Sequence, residues 1–147
     1  MKHLIDLKIL TPQKIVYADF VSEIVLPTES GEITVLPTHA PVVTIAKMGE
    51  VRIKKEEGNV VPFYISGGIV EIRPSETENQ KQTEVIILAF DSEKANDIDI
   101  ERAQKAYERA QKAMEESQNM QNVDFAKLQS AIDRELNKIQ IAKKWRK

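Results

Sequence analysis

The chain has 147 residues, 41% hydrophobic and 30% charged, with a formal net charge of −2. That length and balance fit one ordinary folded domain or two small ones. There is no cysteine, which excludes disulfides, thiolate metal sites and thiol chemistry, and the longest apolar run, Val85 to Phe90, is far short of the ~20 residues a membrane-spanning helix needs.

The N-terminus, Met1-Lys2-His3-Leu4-Ile5-Asp6, meets an acid too soon for a secretory signal and is read as uncleaved and cytoplasmic. Leu4, Leu7, Ile9 and Leu10 open an apolar stretch that stops at Thr11-Pro12. Short runs follow at Ile15 to Tyr17, Phe20-Val21, Ser22 to Pro27, Glu32 to Pro37 and Val42 to Ala46. Glu50-Val51-Arg52-Ile53-Lys54 alternates, so one face is wet. Glu57-Gly58-Asn59 is a turn before Val60 to Ile65, where Pro62 marks an edge strand or a bulge. Gly67-Gly68 separates that run from Ile69 to Arg73. The polar segment Pro74 to Gln82 has no period and is expected to be an exposed loop before a last strand, Glu84 to Phe90. Runs this short, broken this often by Pro and Gly, predict a sandwich or a barrel over residues 1–92.

From Ile98 onward there is no Gly and no Pro. Ala103, Ala106, Ala110 and Ala113 recur on one helical face, with Ile100, Tyr107 and Met114 as a stripe beside it. Asp97 or Asp99 can cap the start, where a carboxylate accepts from exposed N–H groups. The pattern fades through Ser117 to Asn122, and a second helix begins near Asp124 with Phe125, Leu128, Ile132 and Ile139 as its apolar positions. A short polar connection suits an antiparallel hairpin over 93–147. At ~25 cal/mol per Å2 of buried apolar surface, alanine contacts stabilise little, so the hairpin is expected to be marginal alone.

Charge divides along the same line. Residues 1–97 hold 10 basic against 15 acidic side chains, and residues 98–147 hold 11 against 8. The last ten residues carry Lys138, Lys143, Lys144, Arg146 and Lys147 with no acid. Such a tail suits an acidic partner, or is simply a solvated helix end whose cations suit the macrodipole. His39 lies between two prolines and reads as a turn histidine. Ser66-Gly67-Gly68 lacks the lysine of a phosphate loop, and no catalytic constellation is present, so an enzyme is not expected. Asp99 and Arg102 lie one turn apart, and Arg109 lies two turns beyond Arg102. Arg134 and Lys138 are an i, i+4 pair that an antiparallel hairpin could bring near them. These cations could grip a phosphate chain, or be ordinary surface pairs worth under ~1 kcal/mol each.

Several motifs in order give a family resemblance: Leu10-Thr11-Pro12, Val25-Leu26-Pro27-Thr28, the run Gly31 to Pro41, Gly49 to Ile53, Ile65 to Ile72, and Ile98-Asp99-Ile100-Glu101-Arg102-Ala103. Together they cover nearly the whole chain, which resembles the epsilon subunits of F-type ATP synthases, called delta in mitochondria. The resemblance implies an α+β fold, a ten-stranded β-sandwich followed by a two-helix hairpin. It implies a non-catalytic, monomeric central-stalk subunit at the cytoplasmic face of a bacterial plasma membrane, with no required cofactor and no nucleic-acid partner. The sandwich would bind the gamma subunit and the c-subunit ring. The hairpin would be regulatory, reaching the alpha/beta catalytic subunits and inhibiting ATP hydrolysis through Lys138, Lys143, Lys144 and Arg146.

Some relatives bind ATP as a regulatory ligand on the folded hairpin. Position by position, the resemblance carries that site onto Glu93, Ile98, Asp99, Arg102, Ala103, Arg109, Arg134 and Lys138. Lys138 stands where the family has arginine, which keeps the charge but loses the bidentate fork. The alternative is a structural adaptor whose helices pack permanently and bind no nucleotide. Thr34 stands where the family usually has glycine and Thr38 where glycine or asparagine is common, and the Pro74 to Thr83 segment is long for the family.

Overall fold

A computed structural model describes residues 3–77, 80–117 and 124–146, with side chains described outside 76–82. Two compact units divide the chain, Met1–Lys94 and Ala95–Lys147. The first is all β: β1 (Ile5–Leu10), β2 (Ile15–Val21), β3 (Glu23–Thr28), β4 (Gly31–Val35), β5 (Val42–Ala46), β6 (Gly49–Lys54), β7 (Val60–Ile65), β8 (Gly68–Thr77), β9 (Gln80–Ala89) and β10 (Ser92–Lys94).

Alternation does what period two requires. In β1, Ile5, Leu7 and Ile9 are buried while Asp6, Lys8 and Leu10 keep some exposure. In β6, Val51 and Ile53 are buried and Lys54 is exposed. One face of each strand therefore feeds a single core, and each fully buried Ile or Leu contributes roughly 1.5–3 kcal/mol. Along the hydrogen bonds the strand order is β10-β7-β6-β3-β5-β8-β9-β1-β2, with β4 also on β3. All pairs are antiparallel except β1 with β9. β3 and β5 meet through one residue pair, Thr28 with Ala46, so the sheet folds over there into the two layers of a sandwich.

The polar segment after Pro74 is strand and not loop. β8 and β9 pair out to Thr77 and Gln80, well past Ile72, where β5 stops. Backbone pairing needs no apolar face where a ribbon runs on beyond the layers, so the missing period misled. Residues 78 and 79 lie outside the described residues. The residues alone gave no strand at Ser92–Lys94, but these three pair with β7 as β10 and supply the tenth strand that the resemblance implies; the first unit runs to Lys94. Pro62 lies opposite Arg52 of β6, on a stretch of β7 that β10 does not reach, so its missing N–H disrupts no ladder there.

The two glycine-like positions differ. Thr34 sits inside β4 opposite Val25 and needs no glycine. Thr38 has a φ of 68°, the left-handed conformation that glycine or asparagine would adopt more readily. Its backbone N–H donates to Thr83 Oγ1 at 2.7 Å, which ties the turn to β9. His39 beside it is a turn residue, with Nδ1 2.7 Å from the Ala40 carbonyl oxygen.

The second unit opens with a 3-10 turn, Ala95–Asp97, followed by α1 (Ile100–Glu116) and α2 (Phe125–Trp145). Of the two candidate caps for α1 it is Asp99 that serves, accepting from the Arg102 N–H at 3.1 Å. Asp124 caps α2 in the same way through the Lys127 N–H at 3.0 Å. Ala103 and Ala110 are buried, and Ala106 and Ala113 are half-buried, so the alanine face is the packed face. The helices pack on each other, and Arg146 at the end of α2 touches Asn96, just before α1. The hairpin is therefore antiparallel. Residues 118–123, where the sequence places the break, and Lys147 lie outside the described residues.

Candidate functional site

The candidate site is built mostly on α1. Asp99 is fixed by its capping bond, and Arg102 follows in the first turn with an exposed side chain. Arg109 is exposed two turns on, its Nε donating to the Lys105 carbonyl at 3.4 Å. Seven residues return a helix to within about 20° of the same direction, some 10 Å farther along its axis. Arg102 and Arg109 therefore share one face.

That face holds two further cations that the sequence reading passed over. Lys105 and Lys112 fall at spacings of 3, 4 and 3 with the two arginines, inside a sector of about 80°. Lys105, Glu108, Arg109 and Lys112 line an open depression on α1. Lys105 pairs with Glu101 at 3.4 Å and Lys112 with Glu116 at 4.0 Å. Both pairs are well exposed, worth a few tenths of a kcal/mol at most, and a stronger anion displaces them readily. The 3-4-3 spacing is legible in the sequence.

The other expected residues fall in several places. Ile98 and Ala103 are buried, so these two motif positions shape the joint and do not offer side chains to solvent. Arg134 is exposed on α2 and pairs with its neighbour Glu135, Nε to Oε1, at 3.5 Å. Lys138 lies one turn farther along and is half-buried. Glu93 is on β10 opposite Tyr64, in the first unit. Of the tail cations, Lys143 and Lys144 are exposed, and Lys144 lies over the Trp145 ring at 5.4 Å. Arg146 is engaged within the chain. Its Nη2 donates to the Asn96 carbonyl at 3.0 Å and to the Ile98 carbonyl.

Among the described residues no cluster of His, Asp or Glu could hold a metal ion, and no helix is long and apolar enough to cross a membrane. The arrangement can neutralise an anion along α1, with donors from Arg102, Lys105, Arg109 and Lys112.

Comparison with known proteins matches both units. The description "ATP synthase, Delta/Epsilon chain, beta-sandwich domain" covers residues 4–78, and "ATP synthase, Delta/Epsilon chain, long alpha-helix domain" covers residues 96–143. The chain is 35% identical to the ATP synthase epsilon chain of Halalkalibacterium halodurans over 94% of its own length and 96% of that relative. It is 31% identical to the epsilon chain of Desulforamulus reducens over 92% of this chain and 95% of that one. In fold it is similar to a chain of the Euglena gracilis mitochondrial ATP synthase, with a TM-score of 0.71 at 22% identity, covering 93% of this chain and 80% of that one. Two matched units in the right order, with relatives aligned almost end to end, lead to one conclusion: the chain belongs to the ATP synthase delta/epsilon chain family, a non-catalytic subunit of the rotary complex.

Proposed function

We propose that this chain is the central-stalk epsilon subunit of a bacterial F-type ATP synthase, on the cytoplasmic face of the plasma membrane, and that its hairpin is an ATP-responsive brake. The sandwich seats the subunit on gamma and on the c-ring, and so helps couple ion-driven rotation to ATP synthesis. ATP lies along the cationic sector of α1, held by Arg102 and Arg109 beside Asp99, with Arg134 and Lys138 from α2 completing the set. Ligand there favours the closed hairpin because only the closed hairpin brings both helices to it. When ATP is scarce the hairpin opens, and the cations Lys138, Lys143, Lys144 and Arg146 engage acidic surfaces of the catalytic subunits and slow hydrolysis.

The observation that carries this reading is the sector itself: four cations at 3-4-3 spacing beside a carboxylate-capped helix start. Lys105 and Lys112 already pair with Glu101 and Glu116, but these are weak, exposed pairs that a phosphate chain can displace. The test is ATP hydrolysis by the assembled complex across a range of ATP concentrations. The wild type should be inhibited at low ATP and released as ATP rises. Arg102→Ala should remain inhibited at concentrations that release the wild type. If both follow the same curve, the hairpin is a structural adaptor with no nucleotide site.

A further inference from the structure

The sequence offers Arg146 as one more cation of a solvated tail. In the structure its guanidinium instead reaches back 50 residues along the chain to the joint that opens the second unit. Nη2 donates to the Asn96 carbonyl at 3.0 Å and to the Ile98 carbonyl. The planar guanidinium suits this task because it donates in several fixed directions at once, and bonds from an ionised donor are the strong ones. Ile98 is joined directly to Asp99, so whatever holds the Ile98 carbonyl also holds the cap of α1. Burial on α2 supports the same end: Ile139, Ile141 and Ala142 are buried, whereas Phe125 at the other end is largely exposed.

We propose that Arg146 is a latch that fastens the closed hairpin at its joint end, and that an acidic partner which takes over its Nη2 donors releases the joint. Closed, its Nη2 is directed at two backbone carbonyls. Open, it is a free cation beside the exposed Lys143 and Lys144. Opening and engagement are thus exchanges of one group between two acceptors, and an acidic surface competes directly with the joint. The latch needs no nucleotide, so it stands or falls apart from ATP sensing.

The test is hydrogen exchange on the full-length isolated subunit without nucleotide. Arg146→Gln should speed exchange about tenfold at the amides of Arg102, Ala103 and Arg146, while amides of β6 and β8 stay within about twofold and report an intact sandwich. Arg146→Lys should fall between, since one ammonium serves as a point donor. A short poly-glutamate peptide should speed exchange at the same amides in the wild type and leave Arg146→Gln unchanged. Joint-end exchange in Arg146→Gln within about twofold of wild type overturns the latch. Poly-glutamate that leaves the wild type unchanged overturns the exchange of partners.

Discussion

Thr38 holds a left-handed backbone that a β-branched residue resists, and its contact to Thr83 runs through the backbone N–H, which any residue but proline supplies. Thr38→Gly should therefore raise stability by about 1 kcal/mol in denaturant unfolding, and a loss would show that the threonine side chain matters more than φ. Gly68 is the opposite case. A Cβ there would lie 2.0 Å from the Leu88 carbonyl oxygen, so Gly68→Ala must push β8 off β9 and should destabilise the sandwich by several kcal/mol. Asp99 caps α1 and belongs to the proposed nucleotide site, and substitution can separate the two. Asp99→Ala removes the cap and should cost α1 about 1 kcal/mol, whereas Asp99→Asn keeps a capping oxygen and most of that stability. If both variants nevertheless weaken ATP binding, the carboxylate charge is part of the site. Burial and the neighbouring Asp19 carboxylate push the Tyr17 hydroxyl up to about 12 from 10.0. Folding thus favours the protonated phenol. Its contribution is fully present below pH 10 and is lost as pH rises from about 10 to about 12. Unfolding of Tyr17→Phe should show a shallower loss across that window than the wild type.

Elements differ in how far the sequence disclosed them. Strands with one wet and one buried face, such as β1 and β6, were legible from alternation alone, and both helices were legible from their caps and from the alanine repeat. The outer ends of β8 and β9 were not, because the sequence there is polar and without period, and the strand shows only in the pairing of the two backbones. Arg102 and Arg109 were legible as a shared face because helical periodicity is local. Arg146 was not, because its partners lie 48 and 50 residues away and no local pattern encodes such a contact. The hairpin also differs from the sandwich in what holds it. Apart from Ile98 at the joint, the large, fully buried side chains belong to the sandwich. On α2 the Trp145 Nε1 and Asn137 Oδ1 atoms are buried without a hydrogen-bond partner among the described residues, each costing about 1–3 kcal/mol. Native-state exchange should accordingly protect β1, β6 and β8 more than α1 and α2, and equal protection would show that the hairpin is not the weaker half.

At the scale of the whole molecule, a strongly packed sandwich is joined in sequence to a thinly packed hairpin, and charge divides in the same way. Net negative charge lies before residue 98 and net positive charge after it. Such a chain suits a subunit anchored by one unit and regulated by the other, provided that a ligand distinguishes the closed from the open hairpin. In the proposed function that distinction comes from ATP binding to the cationic sector of α1. Titration calorimetry of the isolated, full-length subunit measures it directly. Single-site heat with ATP is expected, with an affinity at least about tenfold weaker in Arg102→Ala, the effect of losing one charge-assisted donor. An absence of heat at millimolar ATP, with and without magnesium, would contradict it and leave a stalk subunit whose hairpin responds to something other than ATP.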